Sequence, residues 1–558
     1  MKDKITLGHR FLQVLKERQV EHFYANPGTE FTALMEAFSK EEPRVLPKPV
    51  LVPHENLAVH MAFGSYLASG LPQVVMTHAL IGAANALSAV INASRMNIPL
   101  LFVAGRTPIQ EFAEKGSRDR FHHWAQESYD QGALFREFTK WDYELRRPEQ
   151  LEEVLGRAFS IMNTPPYGPV FLQLPRELLL QEFQPELVRT EFQIPSQLGV
   201  PSPGDLAKLV EMIHSAKAPM ILTKTFGSHP KGVGPLEELA EELAIPVLAE
   251  HSHYYNLSWR HEMFCGFLQK AHPLYEMADL LICLDMDVPW VPNVNAPSPS
   301  AKVVHIGADP LFQKIPMRSH RGDFSLTVDL WETLVVLKKE LLHKACPVKM
   351  TERRQKVAEV KKTELTSHTF GDTLSEVAKA LGESLNDQCV IFNELNLPPG
   401  PLDLTYPGSY FRTGSASGLG WGIGAALGYA LSQPNKVVIS VVGDGAYYLG
   451  QPMAAHWFAR KHGLKWITLL LNNEGMQSLY KAGTLHFSEF EKVEKNDSPL
   501  TSLAPSPHFS QLSQVFGLSG HKVESVKHLK EILPKVIQST AKNSDQVLLD
   551  FRGYHNKI

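Results

Sequence analysis

Two apolar runs near the end of the chain give the clearest pattern of hydrophobic and polar positions. Residues Val437–Val442 and Trp466–Leu471 are almost continuously apolar, which is typical of strands buried on both faces of a parallel sheet. Between the two runs, apolar residues around Met453 and Trp457 recur at helical spacing. The pattern therefore predicts a strand–turn–helix–strand unit whose two polar turns share the carboxyl edge of the sheet.

Strand-like and helix-like patterns alternate along the rest of the chain as well, and they divide it into three blocks, 1–185, 201–345 and 369–558. The segment 186–200 is predicted to be a linker, and the charged stretch 347–368 a solvated connecting helix. Predicted strands of the first two blocks are Glu21–Ala25, Gln73–Thr77, Leu100–Ala104, Val170–Leu174, Met220–Leu222, Pro246–Ala249, Leu280–Leu284 and Val303–Ile306. The fold class is therefore α/β, with three consecutive open, mainly parallel-sheet domains.

Polar residues follow each of the two strands near the C-terminus. Asp444 lies between Gly443 and Gly445 after the first strand, and Asn473 follows the second, with Gly475 two residues further on. A carboxylate, an amide oxygen and a backbone carbonyl suit Mg²⁺ that also binds a diphosphate and water. The glycines let the backbone approach that diphosphate. The alternative is a glycine-rich strand end and a polar turn that bind nothing.

These motifs resemble the signature of the thiamine-diphosphate enzymes, in which G-D-G is followed further along the chain by N-N. The resemblance implies that Asp444, Asn473 and the Gly475 carbonyl bind Mg²⁺. It covers the whole chain, because acetolactate synthase, pyruvate decarboxylase and benzoylformate decarboxylase share one domain order. That order is a pyrimidine-binding domain (here 1–185), a central domain (201–345) and a diphosphate-binding domain.

Glu55 is the candidate catalytic carboxylate. It follows His54 and precedes the predicted helix Ala58–Ala68. By itself, a carboxylate at this place could simply cap the helix. The resemblance implies instead that Glu55 hydrogen-bonds the aminopyrimidine of the cofactor. This bond promotes loss of the proton from C2 of the cofactor's thiazolium ring.

Two further residues are placed near the substrate by the same resemblance. Thr29, in Asn26-Pro27-Gly28-Thr29, is similar in position to a pocket serine of benzoylformate decarboxylase. His78 follows the strand Gln73–Thr77, where that enzyme has a histidine that shuttles protons. A turn threonine and a structural histidine are the alternatives.

The loop 119–127 resembles two different members of the family. His122 and His123 are similar to the tandem histidines of pyruvate decarboxylase. Gln126 is similar to a glutamine of acetolactate synthase that points at the active site. Both interpretations remain open, and surface histidines and glutamines are common.

The third block carries further candidate cofactor contacts. The resemblance places Leu419 as an apolar wedge between the two cofactor rings, which brings the reacting atoms together. A packing leucine in a tight turn is the alternative. The remaining implied contacts with the cofactor are Glu394, Asn396, Ser417, Gly443, Gly445, Ala446 and Met476.

Composition and charge are those of an ordinary globular protein. The 558 residues are 44% hydrophobic and 20% charged, and the formal net charge is −4, so nothing indicates a nucleic-acid-binding surface. The four cysteines have no metal-like spacing, which fits a reducing compartment. No apolar run reaches membrane-spanning length. We therefore expect a cytoplasmic protein with no nucleic acid or membrane partner.

Some features depart from individual family members. Segment 285–292 contains no histidine where benzoylformate decarboxylase has its second one, and it lacks the arginine and glycine pattern of flavin-contacting loops. The strand exit Thr223–Gly227 has one glycine where a dinucleotide turn would need several. We therefore expect no flavin.

The resemblance implies an enzyme that uses thiamine diphosphate and Mg²⁺ to cleave or form a carbon–carbon bond next to a carbonyl. An acetolactate synthase-like carboligase is favoured, with a 2-oxo acid donor and an aldehyde or ketone acceptor. The alternatives are a 2-oxo acid decarboxylase, a 2-hydroxyketone lyase and a catalytically silent cofactor-binding subunit. Because the family builds each active site from two subunits, we expect a homodimer or homotetramer.

Overall fold

Three six-stranded sheets follow one another along the chain, and all of their strand pairings are parallel. The computed structural model describes residues 5–183, 193–228, 232–268, 272–343, 346–367, 373–394, 397–487 and 499–553. The predicted α/β class is confirmed. The domain limits remain predictions, although each sheet falls within one predicted block.

The first sheet contains β1 (His22–Asn26), β2 (Lys48–Leu51), β3 (Gln73–Thr77), β4 (Leu100–Arg106), β5 (Asp142–Glu144) and β6 (Val170–Pro175), in the order β2–β1–β3–β4–β6–β5. The helices of this block are α1 (Leu7–Glu17), α2 (Thr32–Lys40), α3 (Glu55–Ser69), α4 (Ala79–Arg95), α5 (His122–Ala125), α6 (Leu151–Met162) and α7 (Arg176–Leu180).

The second sheet contains β7 (Pro219–Thr223), β8 (Val247–Ala249), β9 (Phe264–Phe267), β10 (Leu280–Leu284), β11 (Lys302–Gly307) and β12 (Phe324–Thr327), in the order β12–β11–β10–β7–β8–β9. Its helices are α8 (Pro203–Ser215), α9 (Val233–Leu243), α10 (Pro273–Glu276), α11 (Pro292–Asn295) and α12 (Leu330–His343). The predicted connecting helix is α13 (Pro347–Ser367), and residues 193–200 of the predicted linker form neither helix nor strand.

The third sheet contains β13 (Cys389–Asn393), β14 (Tyr410–Arg412), β15 (Val437–Gly443), β16 (Trp466–Leu471), β17 (Ser519–Val523) and β18 (Gln546–Phe551), in the order β14–β13–β15–β16–β18–β17. Its helices are α14 (Thr373–Ser384), α15 (Trp421–Ser432), α16 (Asp444–Leu449), α17 (Pro452–His462), α18 (Gln477–His486), α19 (Phe509–Val515) and α20 (Val526–Asn543). Because Gly443 pairs with Leu471, the two polar turns start side by side at one sheet edge.

Helices α3 and α15 join the first and third sheets through a very close contact. A Cβ atom on Gly64 would lie 1.8 Å from the Ala425 carbonyl oxygen, and one on Gly428 would lie 1.8 Å from the Met61 carbonyl oxygen. Only glycine permits this approach of two backbones. The Ser65 hydroxyl adds a hydrogen bond of 2.8 Å to the Gly428 carbonyl. The helix that begins at Glu55 is therefore fixed to the third sheet of its own chain.

In the described part of the chain, no helix combines the length and the apolar character that crossing a membrane requires.

Candidate active site

Asp444 is held rigidly at the carboxyl edge of β15. It is 2% exposed, its Oδ1 accepts a hydrogen bond of 2.9 Å from the Gly445 amide, and its Oδ2 accepts one of 3.0 Å from the Gly475 amide. Burial raises the pKa of the Asp444 carboxyl to about 6. The first polar turn is thus hydrogen-bonded to the second across the sheet edge.

Two further oxygen atoms converge on this carboxylate, which makes a set of three. The amide oxygen of Asn473 lies 3.1 Å from Asp444 Oδ1 and 2.8 Å from the Gly475 carbonyl oxygen, so it faces two other acceptors. Rotating the amide would let its nitrogen donate to both. In the orientation shown, a cation between the oxygens would remove their mutual repulsion. Ligands around octahedral Mg²⁺ at 2.0–2.1 Å are separated by about 2.9 Å. The predicted donor set therefore fits Mg²⁺.

A cavity of about 600 Å³ opens directly beside these oxygens. Its wall includes the cofactor candidates Ser417, Leu419, Gly443, Gly445, Ala446 and Met476. Leu419 is 40% exposed, although it is apolar and follows a turn in which Ser417 has φ of 50°. A leucine presented by a tight turn offers an apolar surface to a ring system, so the cavity can accommodate thiamine diphosphate next to the oxygen set.

Glu394 lines the same cavity but uses both of its oxygens to hold the backbone. It accepts hydrogen bonds from the amides of Gly420 and Gly422, the latter at 2.8 Å, at the start of α15. Burial raises the pKa of its carboxyl to about 7. Glu394 therefore fixes the turn that presents Leu419. The other predicted contact in this strand exit, Asn396, lies outside the described residues.

The Leu419 turn is also tied to the first block. Asn92, on α4, is 1% exposed. Its amide oxygen accepts from the Gly418 amide at 3.0 Å, and its amide nitrogen donates to the Gly418 carbonyl at 2.9 Å. The same nitrogen lies 3.0 Å from Nε2 of His60, a buried histidine whose pKa burial lowers to about 3. This contact fixes the cavity wall to α4.

Glu55 is the first residue of α3, at the carboxyl edge of the first sheet. It is half-buried, and its Oε2 accepts a hydrogen bond of 2.6 Å from the amide of Asn85 on α4. A Cβ atom on Gly82 would lie 3.3 Å from its Oε1. Glycine at that position leaves room for the carboxylate, whose orientation Asn85 fixes.

His78 is paired with a buried glutamate. Its Nδ1 lies 2.7 Å from Oε2 of Glu30, which is 3% exposed and also accepts from the Ala79 amide at 3.2 Å. The hydrogen bond to Glu30 raises the pKa of His78 above its ordinary value, although burial of the imidazole opposes the rise. Gln126 and Glu55 raise that pKa further, so both belong to the same local group.

Replacing Glu30 by glutamine is expected to lower the pKa of His78, because the amide keeps the size of the carboxylate without its charge. The wild-type pair stabilises the fold fully below the unfolded-state pKa of about 6.5. That contribution is lost as the pH rises through the raised folded-state pKa of His78. NMR titration of the histidine side chains measures the shift. Glu36→Gln, at a partly exposed ion pair with Lys40, is the control. An unchanged His78 pKa in Glu30→Gln would contradict the pairing.

The other candidates of the first block are placed differently. Thr29 is exposed, on a single 3₁₀ turn. His123 is 2% exposed, and its Nδ1 lies 3.6 Å from the carboxylate of Asp119. The His122 ring stacks edge-on against the His123 ring at 4.8 Å. Of these loop residues, Gln126 influences the pKa of His78, whereas His123 and His122 contact Asp119 and each other.

Two groups of site residues thus lie in different parts of one chain. Glu55 and His78 lie at the edge of the first sheet, whereas the residues that line the cavity lie between positions 224 and 481.

Glu30, Asn85 and Asn92 were not assigned from sequence. Glu30 could have been found, because it directly follows the Asn-Pro-Gly-Thr turn at a strand exit.

Sequence models of thiamine pyrophosphate (thiamine diphosphate) enzymes match most of the chain. The N-terminal TPP binding domain matches residues 5–134, the central domain 206–336 and the C-terminal TPP binding domain 401–551. The chain belongs to the thiamine pyrophosphate enzymes, a family that includes decarboxylases and acetolactate synthases.

Its relatives have more than one activity. The chain is 25% identical over 474 residues to a benzoylformate decarboxylase of Pseudomonas aeruginosa, covering 83% of this chain and 84% of that protein. It is 23% identical to the acetolactate synthase large subunit of Haemophilus influenzae, covering 95% and 92%. The solved 4-hydroxybenzoylformate decarboxylase of Rhodococcus jostii has the same fold, with a TM-score of 0.78 at 20% identity over 98% of both chains.

Proposed function

We propose that this enzyme uses thiamine diphosphate and Mg²⁺ to decarboxylate a 2-oxo acid. The observation that carries the proposal is the convergence of the Asp444, Asn473 and Gly475 oxygens beside a cavity walled by Leu419. These three residues would hold the metal, and the glycines on either side of Asp444 would admit the diphosphate. When bound, the cofactor supplies the electron sink that lets a carbon–carbon bond next to a carbonyl break.

The residues of the first block handle protons. Glu55, oriented by Asn85, offers a carboxylate oxygen to the cofactor's aminopyrimidine. His78, whose pKa the hydrogen bond to Glu30 raises, carries a proton at neutral pH more readily than an ordinary histidine. Gln126 lies beside it and offers an amide to the substrate. A protonated side chain at this place can donate to the oxygen of the substrate carbonyl, and a site that holds protons in this way favours release of the product as an aldehyde.

Carboligation is the second candidate, and it is the outcome that the sequence favoured. Its support is the similarity to acetolactate synthase, which extends over 95% of this chain. A carboligase differs only in that an aldehyde or ketone takes the place of the proton. The Glu30–His78 pair is our reason for preferring decarboxylation.

A substrate panel tests the two outcomes. The holoenzyme, loaded with thiamine diphosphate and Mg²⁺, is incubated with pyruvate, 2-oxobutanoate or benzoylformate, and CO₂, aldehydes and ligated products are measured. We expect CO₂ with a stoichiometric aldehyde from at least one acid. Ligated product in place of aldehyde would support the carboligase. No CO₂ from any 2-oxo acid by cofactor-saturated protein would overturn the proposal.

We further propose that each active site is shared by two copies of the chain in a homodimer or homotetramer. The first sheet carries Glu55 and the third carries the metal ligands, in separate groups. Ile81, on the helix whose Asn85 holds Glu55, is 56% exposed, and Met476 and Leu479 are 40% and 50% exposed on the cavity wall. Exposed apolar side chains thus accompany both the Glu55 group and the metal-ligand group. They are suited to pack against each other where two copies of the chain meet.

Mixing Glu55→Gln chains with Asp444→Ala chains is expected to restore activity. In a hybrid dimer, one site receives Glu55 from one chain and Asp444 from the other, so about one quarter of all sites become intact after random exchange. Activity of the unfolded-and-refolded mixture, compared with each variant alone, measures this. A lack of activity in verified mixed dimers, or a fully active monomer in analytical ultracentrifugation, would rule out the shared site.

We propose that the protein is located in the cytoplasm. The described cysteines are all free thiols, and a reducing compartment keeps thiols in that state.

A further inference from the structure

A histidine–carboxylate pair lies at the carboxyl edge of the second sheet, on the wall of the same cavity. Strand β8 ends at Ala249 and is followed directly by Glu250 and His251. Glu250 is 2% exposed, whereas the side chain of His251 is 60% exposed. A histidine open to a reaction cavity and backed by a buried carboxylate is an arrangement that general acid–base catalysis uses.

The backbone of His251 is strained in a way that fixes this pair. Its φ is 40°, in the left-handed region that residues with a Cβ atom rarely adopt. Such conformations persist only where the surroundings impose them, and they cluster at functional sites. Here Nδ1 of His251 is hydrogen-bonded to Oε1 of Glu250. With Nδ1 donating to the carboxylate, Nε2 is the ring nitrogen available to exchange a proton with a bound molecule.

Glu250 is held in turn by a buried charge cluster. Its Oε2 lies 3.5 Å from Nζ of Lys224, which lies 2.8 Å from Oδ1 of Asp287. Lys224 and Asp287 are 4% and 5% exposed. Burial alone would raise the pKa of the Asp287 carboxyl, but the Lys224 ammonium outweighs it and holds that pKa well below its usual range. Buried charges are weak evidence for stability, and in a cleft they mark candidate functional sites.

The neighbouring His253 does not meet the same requirements. It also lines the cavity but is only 3% exposed, and burial lowers its pKa to about 3. It therefore stays neutral and enclosed, which leaves His251 as the histidine of this strand exit that a substrate can reach.

We propose that His251 transfers a proton to and from the substrate in this cavity, and that Glu250 and Lys224 position it. The inference rests on the proposed function. When the bond to the carboxylate of the 2-oxo acid breaks, CO₂ leaves and the electron pair stays at the former carbonyl carbon. The proton on Nε2 of His251 then bonds to that carbon, and the neutral imidazole regains a proton from water at the mouth of the cavity.

His251→Gln in the holoenzyme tests the proposal, with His528→Gln, at an exposed histidine of the third block, as the matched control. We expect kcat of His251→Gln for the best acid of the substrate panel to fall at least about 100-fold, with little change in KM. The aldehyde formed in equal parts of H₂O and D₂O should also change its deuterium content, because water replaces histidine as the donor. Bound cofactor and thermal unfolding should match the wild type.

A second variant separates positioning from proton transfer. Glu250→Gln should lower kcat less and leave the deuterium content of the aldehyde unchanged, because His251 remains the donor. A kcat of His251→Gln within about threefold of wild type, or a raised KM alone, would overturn the role of His251 while leaving the proposed function intact. If the wild type itself releases no CO₂ from the panel, the proposed function fails and this inference fails with it.

Discussion

Replacing Asp444 by alanine is expected to abolish binding of Mg²⁺ and thiamine diphosphate together. Asp444 is the only charged member of the converging oxygen set, and its two oxygens also hold the amides of Gly445 and Gly475. Loss of a group that only orients a metal ligand lowers metal affinity 10- to 100-fold, so loss of the carboxylate ligand itself should weaken binding at least about 100-fold. Thiochrome fluorescence after gel filtration and denaturation measures the bound cofactor.

The control for this variant is Asp387→Ala, which removes an exposed carboxylate from the same block. It should retain the wild-type cofactor content. If Asp444→Ala also retains stoichiometric cofactor after gel filtration, the metal is bound elsewhere.

Glu55→Gln is expected to abolish turnover while the cofactor stays bound. Glutamine fills the same space and can still accept the hydrogen bond from Asn85, but it lacks the negative charge. Loss of one preorganised interaction of this kind in an active site lowers kcat by about 10²- to 10³-fold. Steady-state kinetics and cofactor content measured on one preparation separate catalysis from binding.

Glu21→Gln, at an exposed glutamate of the same block, is the control for Glu55→Gln. NMR of hydrogen–deuterium exchange at C2 of the bound cofactor gives a second measurement. Wild-type exchange rates in Glu55→Gln would show that the carboxylate has another role.

Interior strands were the predictable part of the fold. The apolar runs Gln73–Thr77, Leu280–Leu284 and Trp466–Leu471 match strands residue for residue, because these strands are buried on both faces. Strands at the sheet edges, such as β2, β5, β9, β12, β14 and β17, were not predicted. They are short or partly exposed, so their sequences lack a continuous apolar run. The interior strands β13 and β18 were also missed.

The site was predictable where function depends on the local sequence. Asp444 and Asn473 lie beside each other because both follow strands that are neighbours in one parallel sheet. Glu30 and His78 are 48 residues apart, and their pairing depends on how β1 and β3 align. The Glu250–His251 pair depends on a left-handed backbone and a buried cluster from three strand exits. No short sequence pattern encodes such contacts.

The close packing of α3 against α15 has a consequence for communication within a dimer. Helix α3 begins at Glu55 and α15 begins directly after the Leu419 turn, so both belong to one unit of the same chain. In a shared-site dimer, that unit links two different sites through a helix of 15 residues, about 22 Å long. Because the glycine contacts allow no sliding, a movement that closes one site shifts a wall of the other. Turnover at one site is therefore expected to depend on the state of the other site, so the two sites should not act independently.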